Sequence, residues 1–321
     1  MIEIIKKIPT KLIFRLTIST VLLVIIFKSI NFEILWQIVR AANIYLLLLS
    51  IILYIPGLLL AALRWDYSIK NFNISLPSGI VIYNTVLGQF SALLLPGQIS
   101  GDVVRIVSIS RGRSKKTTPL ALSVFIDKMA FFIGVVGFLI IGLFGSGFIT
   151  KYRSGYYVII IITLSILLVF IGICRYRKDN IPGLLLQVRS RLPILERLIS
   201  IIQEWLSLPR VSIETILIII FLGFCGQLAN IVNSYVRARA MHIEIDVIDW
   251  AVITTFIALI QVLPLTIGGL GIREGLFAGL LLNYNIPVEQ SIAYSLLSYF
   301  TLVLFISTSM LVVELVRLYG R

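Results

Sequence analysis

Apolar residues along this chain come in long blocks rather than in stripes. Six runs stand out, at about 12–30, 44–63, 119–144, 155–173, 212–236 and 290–316. A helix of roughly 20 residues crosses a bilayer core, so each run reads as a transmembrane helix. The strict alternation of a membrane strand is absent. Helices are then the way to satisfy backbone polar groups in hydrocarbon. The pattern predicts an all-α polytopic membrane helix bundle, with residues 1–321 as a single integral membrane domain. The run at 12–30 follows Lys6, Lys7, Lys11 and Arg15, as a signal peptide would. No small-residue cleavage site follows it, so it is read as a retained helix.

Two further apolar stretches, 79–109 and 248–282, are interrupted in the middle. The first contains Leu95-Pro96-Gly97-Gln98-Ile99-Ser100-Gly101-Asp102, followed by Arg105. The second contains Leu263-Pro264-Leu265-Thr266-Ile267-Gly268-Gly269-Leu270-Gly271-Ile272-Arg273-Glu274. The interval from Pro96 to Arg105 equals that from Pro264 to Arg273. Proline and clustered glycine break a helix, and irregular backbone at membrane depth survives where protein buries it or water reaches it. Each stretch is predicted to be a re-entrant hairpin, with its break at Pro96, Gly97 and Gly101 or at Pro264, Gly268, Gly269 and Gly271. Threaded from a cytoplasmic N-terminus, one enters from the inside and the other from the outside. That predicts an inverted repeat of the kind found in transporters. Two kinked spanning helices are the alternative.

Between the fourth and fifth runs, residues 194–208 alternate at helical spacing. Ile194, Leu198, Ile201, Ile202 and Trp205 fall on one face, and Arg197, Ser200, Gln203 and Glu204 on the other. This is either an amphipathic helix in the cytoplasmic interface or a connecting helix packed on the bundle.

Composition agrees with the pattern. The chain is 59% hydrophobic and 13% charged, against about 25% charged in ordinary soluble chains. The net charge of +13 changes meaning in this setting. In the threading above, both termini are cytoplasmic and most basic residues lie on that side. Lys28, Arg40, Lys151, Arg153, Arg237 and Arg239 fall outside. The surplus therefore points to retention at the cytoplasmic membrane and to anionic headgroups, not to nucleic acid. Cys174 and Cys225 lie in or beside separate apolar runs, at no metal or redox spacing, and His242 is alone in a charged loop. No metal, cofactor or catalytic residue is predicted.

The candidate chemistry lies in the charges left at membrane depth: Asp102, Arg105, Asp127, Lys128, Arg273 and Glu274. Each costs roughly 2.5–3.5 kcal/mol on the lenient insertion scale, so such groups pair or line a polar cavity. The guanidinium fork suits a phosphate. The expectation is one shared polar cavity in which these six side chains meet a lipid headgroup. Ion pairs internal to the bundle are the alternative.

At these residues the chain resembles the membrane domain of lysylphosphatidylglycerol synthases and its stand-alone flippase-like relatives. The resemblance covers nearly the whole chain. It rests on Leu63-Arg64-Trp65, Leu95-Pro96-Gly97, Gly101-Asp102, Arg105 and Asp127-Lys128, and above all on Pro264 with Gly268-Gly269-Leu270-Gly271-Ile272-Arg273-Glu274. Ser100 stands where the family often has glycine. Asp127-Lys128 stands where a Glu-Arg pair is expected, which keeps the charges but loses arginine's fork. Nothing resembles the soluble aminoacyl-transferase domain. The resemblance therefore implies the lipid-translocating half: a flippase moving an anionic phospholipid or a polyprenyl-phosphate-linked intermediate between leaflets. A membrane-embedded lipid or polyprenyl-phosphate transferase and a non-transporting partner of a glycosyltransferase are the other readings. The sequence leaves open whether a second copy or a biosynthetic enzyme accompanies the chain.

Overall fold

The computed structural model describes residues 32–95, 99–110, 117–145, 211–261 and 269–319, with scattered positions between 157 and 172. The run 12–30, most of 155–173, the stretch 194–208, Cys174, and the break residues Pro96, Gly97, Pro264 and Gly268 lie outside the described residues. Every described element is a helix. They are α1 (Phe32–Ala41), α2 (Ile44–Ile52), α3 (Tyr54–Lys70), α4 (Ser78–Leu94), α5 (Ile99–Ser110), α6 (Thr117–Gly145), α7 (Ile213–Ala240), α8 (Val247–Gln261), α9 (Ile272–Leu281) and α10 (Val288–Tyr319). A single 3-10 turn at Leu282–Tyr284 follows α9.

Among the described residues, four stretches are long and apolar enough to cross a bilayer: Ile44–Lys70, Thr117–Gly142, Ile213–Ala240 and Val288–Tyr319. They fall on four of the predicted runs. The first joins α2 and α3, whose interruption at Leu53 precedes Pro56, a residue with no N–H to give. Asn43 opens this stretch, its side chain accepting from the N–H groups of Tyr45 and Leu46 at 3.0 and 3.2 Å. Ser212 caps α7 through the Thr215 N–H at 3.1 Å.

The surface is apolar where a water-soluble helix would be polar. Along α2 and α3, Ile52, Ile55, Leu59 and Leu63 are exposed at helical spacing, while Arg64, Trp65 and Ser68 are buried. Apolar side chains face outward and charged ones inward, as lipid requires.

The two interrupted segments each fold back on themselves. A side chain at Gly101 would collide with the Gly88 carbonyl and touch Ala92, and one at Gly88 would collide with Arg105. Residue 92 thus lies beside 101, and 88 beside 101 and 105, so α4 and α5 run antiparallel. In the second segment Gly269 lies against Gln261, and Trp250 stacks on Phe277 with ring centroids 6.2 Å apart. Helices α8 and α9 are therefore antiparallel too. Gly269 and Gly271 have φ of 75° and 88°, a conformation that glycine adopts without the cost of a Cβ.

The long helices meet through small residues. A Cβ at Gly223 would strike the Ala130 carbonyl, and one at Gly134 would lie 2.6 Å from the Gly223 carbonyl oxygen. Lipid tails are as apolar as the helices, so close backbone approach of this kind supplies much of the association energy. Helices α3 and α7 run antiparallel: Gly57 faces Asn230, and Gly226 faces Arg64. Among the described residues, three apolar clusters result. One surrounds Trp65, Ile69, Leu120 and Ile219. Another surrounds Trp250, Phe277, Leu281 and Tyr294. In the third, Val135, Leu139 and Val252 join α6 to α8.

Candidate functional site

Helices α3, α5 and α6 bring five charged side chains together in the first half. Arg64 Nε donates to Asp127 Oδ1 at 2.7 Å. Arg105 Nη1 lies 3.4 Å from Asp127 Oδ2 and 3.3 Å from Asp102 Oδ1. Lys128 Nζ lies 3.2 Å from Asp102 Oδ2. Asp127 is 2% exposed, Arg64 and Arg105 each 6%, whereas the Lys128 side chain is 40% exposed. Helix α5 sets Asp102 and Arg105 one turn apart, on the same face, as α6 sets Ser123 and Asp127.

Arg105 is held but not satisfied. Its Nε and Nη2 are buried without a hydrogen-bond partner. Its guanidinium carbon lies 3.8 Å from the centre of the Trp65 ring, and Trp65 is fixed by a 3.2 Å bond from its Nε1 to Ser123 Oγ. The missing side chain at Gly88 leaves the space that the Arg105 methylenes occupy. Three cations, Arg64, Arg105 and Lys128, face two carboxylates, Asp102 and Asp127. The cluster therefore carries one surplus positive charge together with free guanidinium donors. An anion with several acceptor oxygens meets both needs.

Arg273 and Glu274 form a different network. Glu274 is fully buried. Its Oε2 accepts from the Gly271 N–H at 2.6 Å, closing the first turn of α9. Its Oε1 accepts from Arg273 Nη2 at 2.6 Å and from Ser295 Oγ at 2.9 Å. Arg273 Nε donates to Ser295 Oγ at 2.8 Å, and the guanidinium lies over Tyr299, 5.0 Å from the ring centre. This pair is neutral, and the carboxylate is spent on a helix cap. Of the six predicted side chains, the structure joins Asp102, Arg105, Asp127 and Lys128 to one another and Arg273 to Glu274. No hydrogen bond or ion pair among the described residues connects the two groups.

Sequence reasoning did not place Arg64, Trp65, Gly88 or Ser295 at the site. Arg64 and Trp65 carry a signal, a charge at the end of an apolar run, but the same signal fits a cytoplasmic loop cation. Gly88 and Ser295 carry no signal without the fold. His242, expected as a loop residue, lies in the α7–α8 turn with its Nε2 3.2 Å from the Ala41 carbonyl oxygen. Cys225 is a free, half-buried cysteine. Among the described residues, no group of His, Cys, Asp and Glu could hold a metal ion.

Comparison with known proteins adds the family. The model of the lysylphosphatidylglycerol synthase TM region matches residues 12–309. A UPF0104 membrane protein of Archaeoglobus fulgidus is 30% identical over 161 residues, which are 49% of this chain and 46% of that protein. The chain thus spans about half the length of the curated relative it matches. No solved structure matches it. With a family match over nearly its full length, four membrane-length apolar helices and an inward-facing charge cluster, the chain is a multi-pass membrane protein that belongs to the lysylphosphatidylglycerol synthase transmembrane-region family.

Proposed function

We propose that the protein is a flippase-like transporter that carries a phosphate-bearing lipid between leaflets, with Arg105 as its principal headgroup ligand. One observation carries the reading. A buried arginine with two unpartnered donor nitrogens sits in a cluster with one surplus positive charge. A purely structural ion-pair cluster would neutralise itself, because unmatched charge at membrane depth is costly. A phosphodiester brings one negative charge and several acceptors. It matches the surplus charge and the unmet donors.

An inverted repeat, with α4–α5 and α8–α9 as re-entrant hairpins, is part of the same proposal. The interval that carries Arg105 to Arg273 also carries Asp127 to Ser295 and Pro119 to Pro287. The contact between Arg105 and Asp127 therefore has a counterpart in Arg273 and Ser295. Asn73 and His242 both have positive φ, 56° and 57°, and each stands at the same distance before the helix that follows. The helices preceding the two hairpins, α3 and α7, are antiparallel, which supports opposite orientation of the halves.

The test is translocation by the full chain in phosphatidylcholine vesicles holding a trace of fluorescent phosphatidylglycerol. Dithionite added outside bleaches whatever reaches the outer leaflet. Wild type is expected to bleach the inner-leaflet pool, and Arg105→Gln to behave like empty vesicles while remaining folded. A wild type that consumes the lipid chemically, without moving it, would make the transferase reading the correct one.

A further inference from the structure

A further buried arginine, Arg237, lies apart from both the Arg105 cluster and the Arg273–Glu274 pair. It falls in the last turn of α7, where the sequence placed an outer-loop cation, yet it is only 7% exposed. Its Nη1 donates to Tyr54 Oη and to Asn233 Oδ1, both at 2.7 Å. Its Nε donates to Ser298 Oγ at 3.2 Å. The guanidinium carbon lies 5.1 Å from the centre of the Tyr54 ring. Tyr294 of α10 is buried alongside, with its hydroxyl committed to the Ser234 carbonyl at 3.1 Å. Every one of these neighbours is neutral. Among the described residues, no carboxylate lies within ion-pair distance of Arg237.

Such a site is unusual for a structural arginine. An uncompensated cation inside a membrane bundle is costly, and an acidic partner would remove most of the cost. Here α3, α7 and α10 supply hydroxyl and amide groups instead. They fix the direction of the guanidinium without cancelling its charge. Three bonds hold Nε and Nη1, and Tyr294 lies within hydrogen-bond reach of the same guanidinium. The result is a pre-oriented donor set carrying one positive charge, the same surplus as the Arg105 cluster.

Two helices measure the separation. On α3, Tyr54 touches Arg237 and Arg64 touches Asp127; these positions are ten residues apart, about 15 Å along a helix at its standard rise. On α7, Gly226 faces Arg64 and Arg237 lies eleven residues further on, about 16 Å. The two estimates agree, and each is roughly half of a hydrocarbon core about 30 Å thick.

We infer that Arg237, with Asn233, Tyr54 and Ser298, forms a second binding station for the phosphate of the transported lipid, displaced along the bundle from the Arg105 station. The inference rests on the phosphate-lipid reading of the Arg105 cluster. A lipid phosphate leaving Arg105 finds a matched charge half a membrane away, so the headgroup need not cross the hydrocarbon without a counter-charge. Phosphatidylglycerol and a polyprenyl phosphate share this chemistry.

The test counts and weighs bound lipid on the purified full chain by native mass spectrometry. The probes are phosphatidylglycerol, undecaprenyl phosphate and, as a phosphate-free control, dioleoylglycerol. Wild type, Arg105→Gln, Arg237→Gln, Arg237→Lys and the double glutamine variant are compared, each checked for folding by thermal melting in detergent. Each single glutamine variant is expected to lose one bound phospholipid and the double variant both, with affinity at the altered station falling about tenfold or more. Arg237→Lys keeps the charge and should hold the lipid with intermediate affinity, which covers the case in which Arg237→Gln does not fold. Loss with only one of the two phosphate lipids supports the station and names its source. Unchanged lipid count and affinity in folded Arg237→Gln or Arg237→Lys would overturn the inference, even with wild-type translocation intact. Loss of a lipid from Arg237→Gln in a protein that moves no lipid would keep the station and overturn the transport reading.

Discussion

Arginines at matched positions in the two halves have different surroundings. Arg105 contacts carboxylates at 3.3 and 3.4 Å and leaves two donors unmet. Arg273 has a 2.6 Å contact to a fully buried carboxylate and a 2.8 Å bond to Ser295. In the proposed repeat Ser295 stands where Asp127 does, and the carboxylate against Arg273 is that of the adjacent Glu274. Arg273→Lys should keep the charge pair with Glu274 and lose the bond to Ser295. The expected outcome is a folded protein that translocates near the wild-type rate, measured in the same vesicle assay. A sharp loss there, with melting unchanged, would put the fork of Arg273 on the phosphate. Arg273→Gln leaves Glu274 buried and unpaired and should destabilise by about 3–5 kcal/mol, read as a lower melting temperature.

Among the helices, glycines set how near the chain can come to itself, and their substitutions separate fold from site. Gly101 abuts the Gly88 backbone, which cannot retreat without parting α4 from α5. Gly88 abuts the flexible methylenes of Arg105, both Cγ and Cδ lying 2.6 Å from an added Cβ. Gly101→Ala is therefore expected to abolish folded, monodisperse protein in detergent. Gly88→Ala should melt near wild type but lose phosphate-lipid affinity, because Arg105 must leave its seat over Trp65. Equal damage from both would show that Arg105 is as immobile as backbone. Gly271→Ala adds a side chain at φ 88°, and its cost should be roughly 1–3 kcal/mol, read from the same melting curves.

For the molecule as a whole, orientation is the testable quantity. The proposed threading puts the α7–α8 turn outside and the start of α6 inside. In a background with Cys174 and Cys225 replaced, Glu244→Cys should react with an impermeant maleimide added to intact cells. Thr117→Cys should react after the cells are opened. The reverse labelling would invert the proposed topology, and with it the direction in which the two stations face.

How much of this was legible differs between backbone and site. The apolar runs at 44–63, 119–144, 212–236 and 290–316 became membrane-length helices because hydrocarbon forces each segment to satisfy its own backbone. That constraint is local, so it is written in local composition. The antiparallel approach of α4 and α5 rests on Gly88 and Gly101, of which only Gly101 stood out in the sequence. The charge pairings were not legible. Arg64 ends an apolar run, as a cytoplasmic basic residue would, yet it is the nearest partner of Asp127. The charge pattern places Arg237 on the outer side, whereas the structure buries it among neutral groups from three helices. Which side chains meet depends on how each helix is rotated about its axis and on where small residues let two helices touch. Those quantities belong to pairs of helices distant in the chain, and only the tertiary structure decides them.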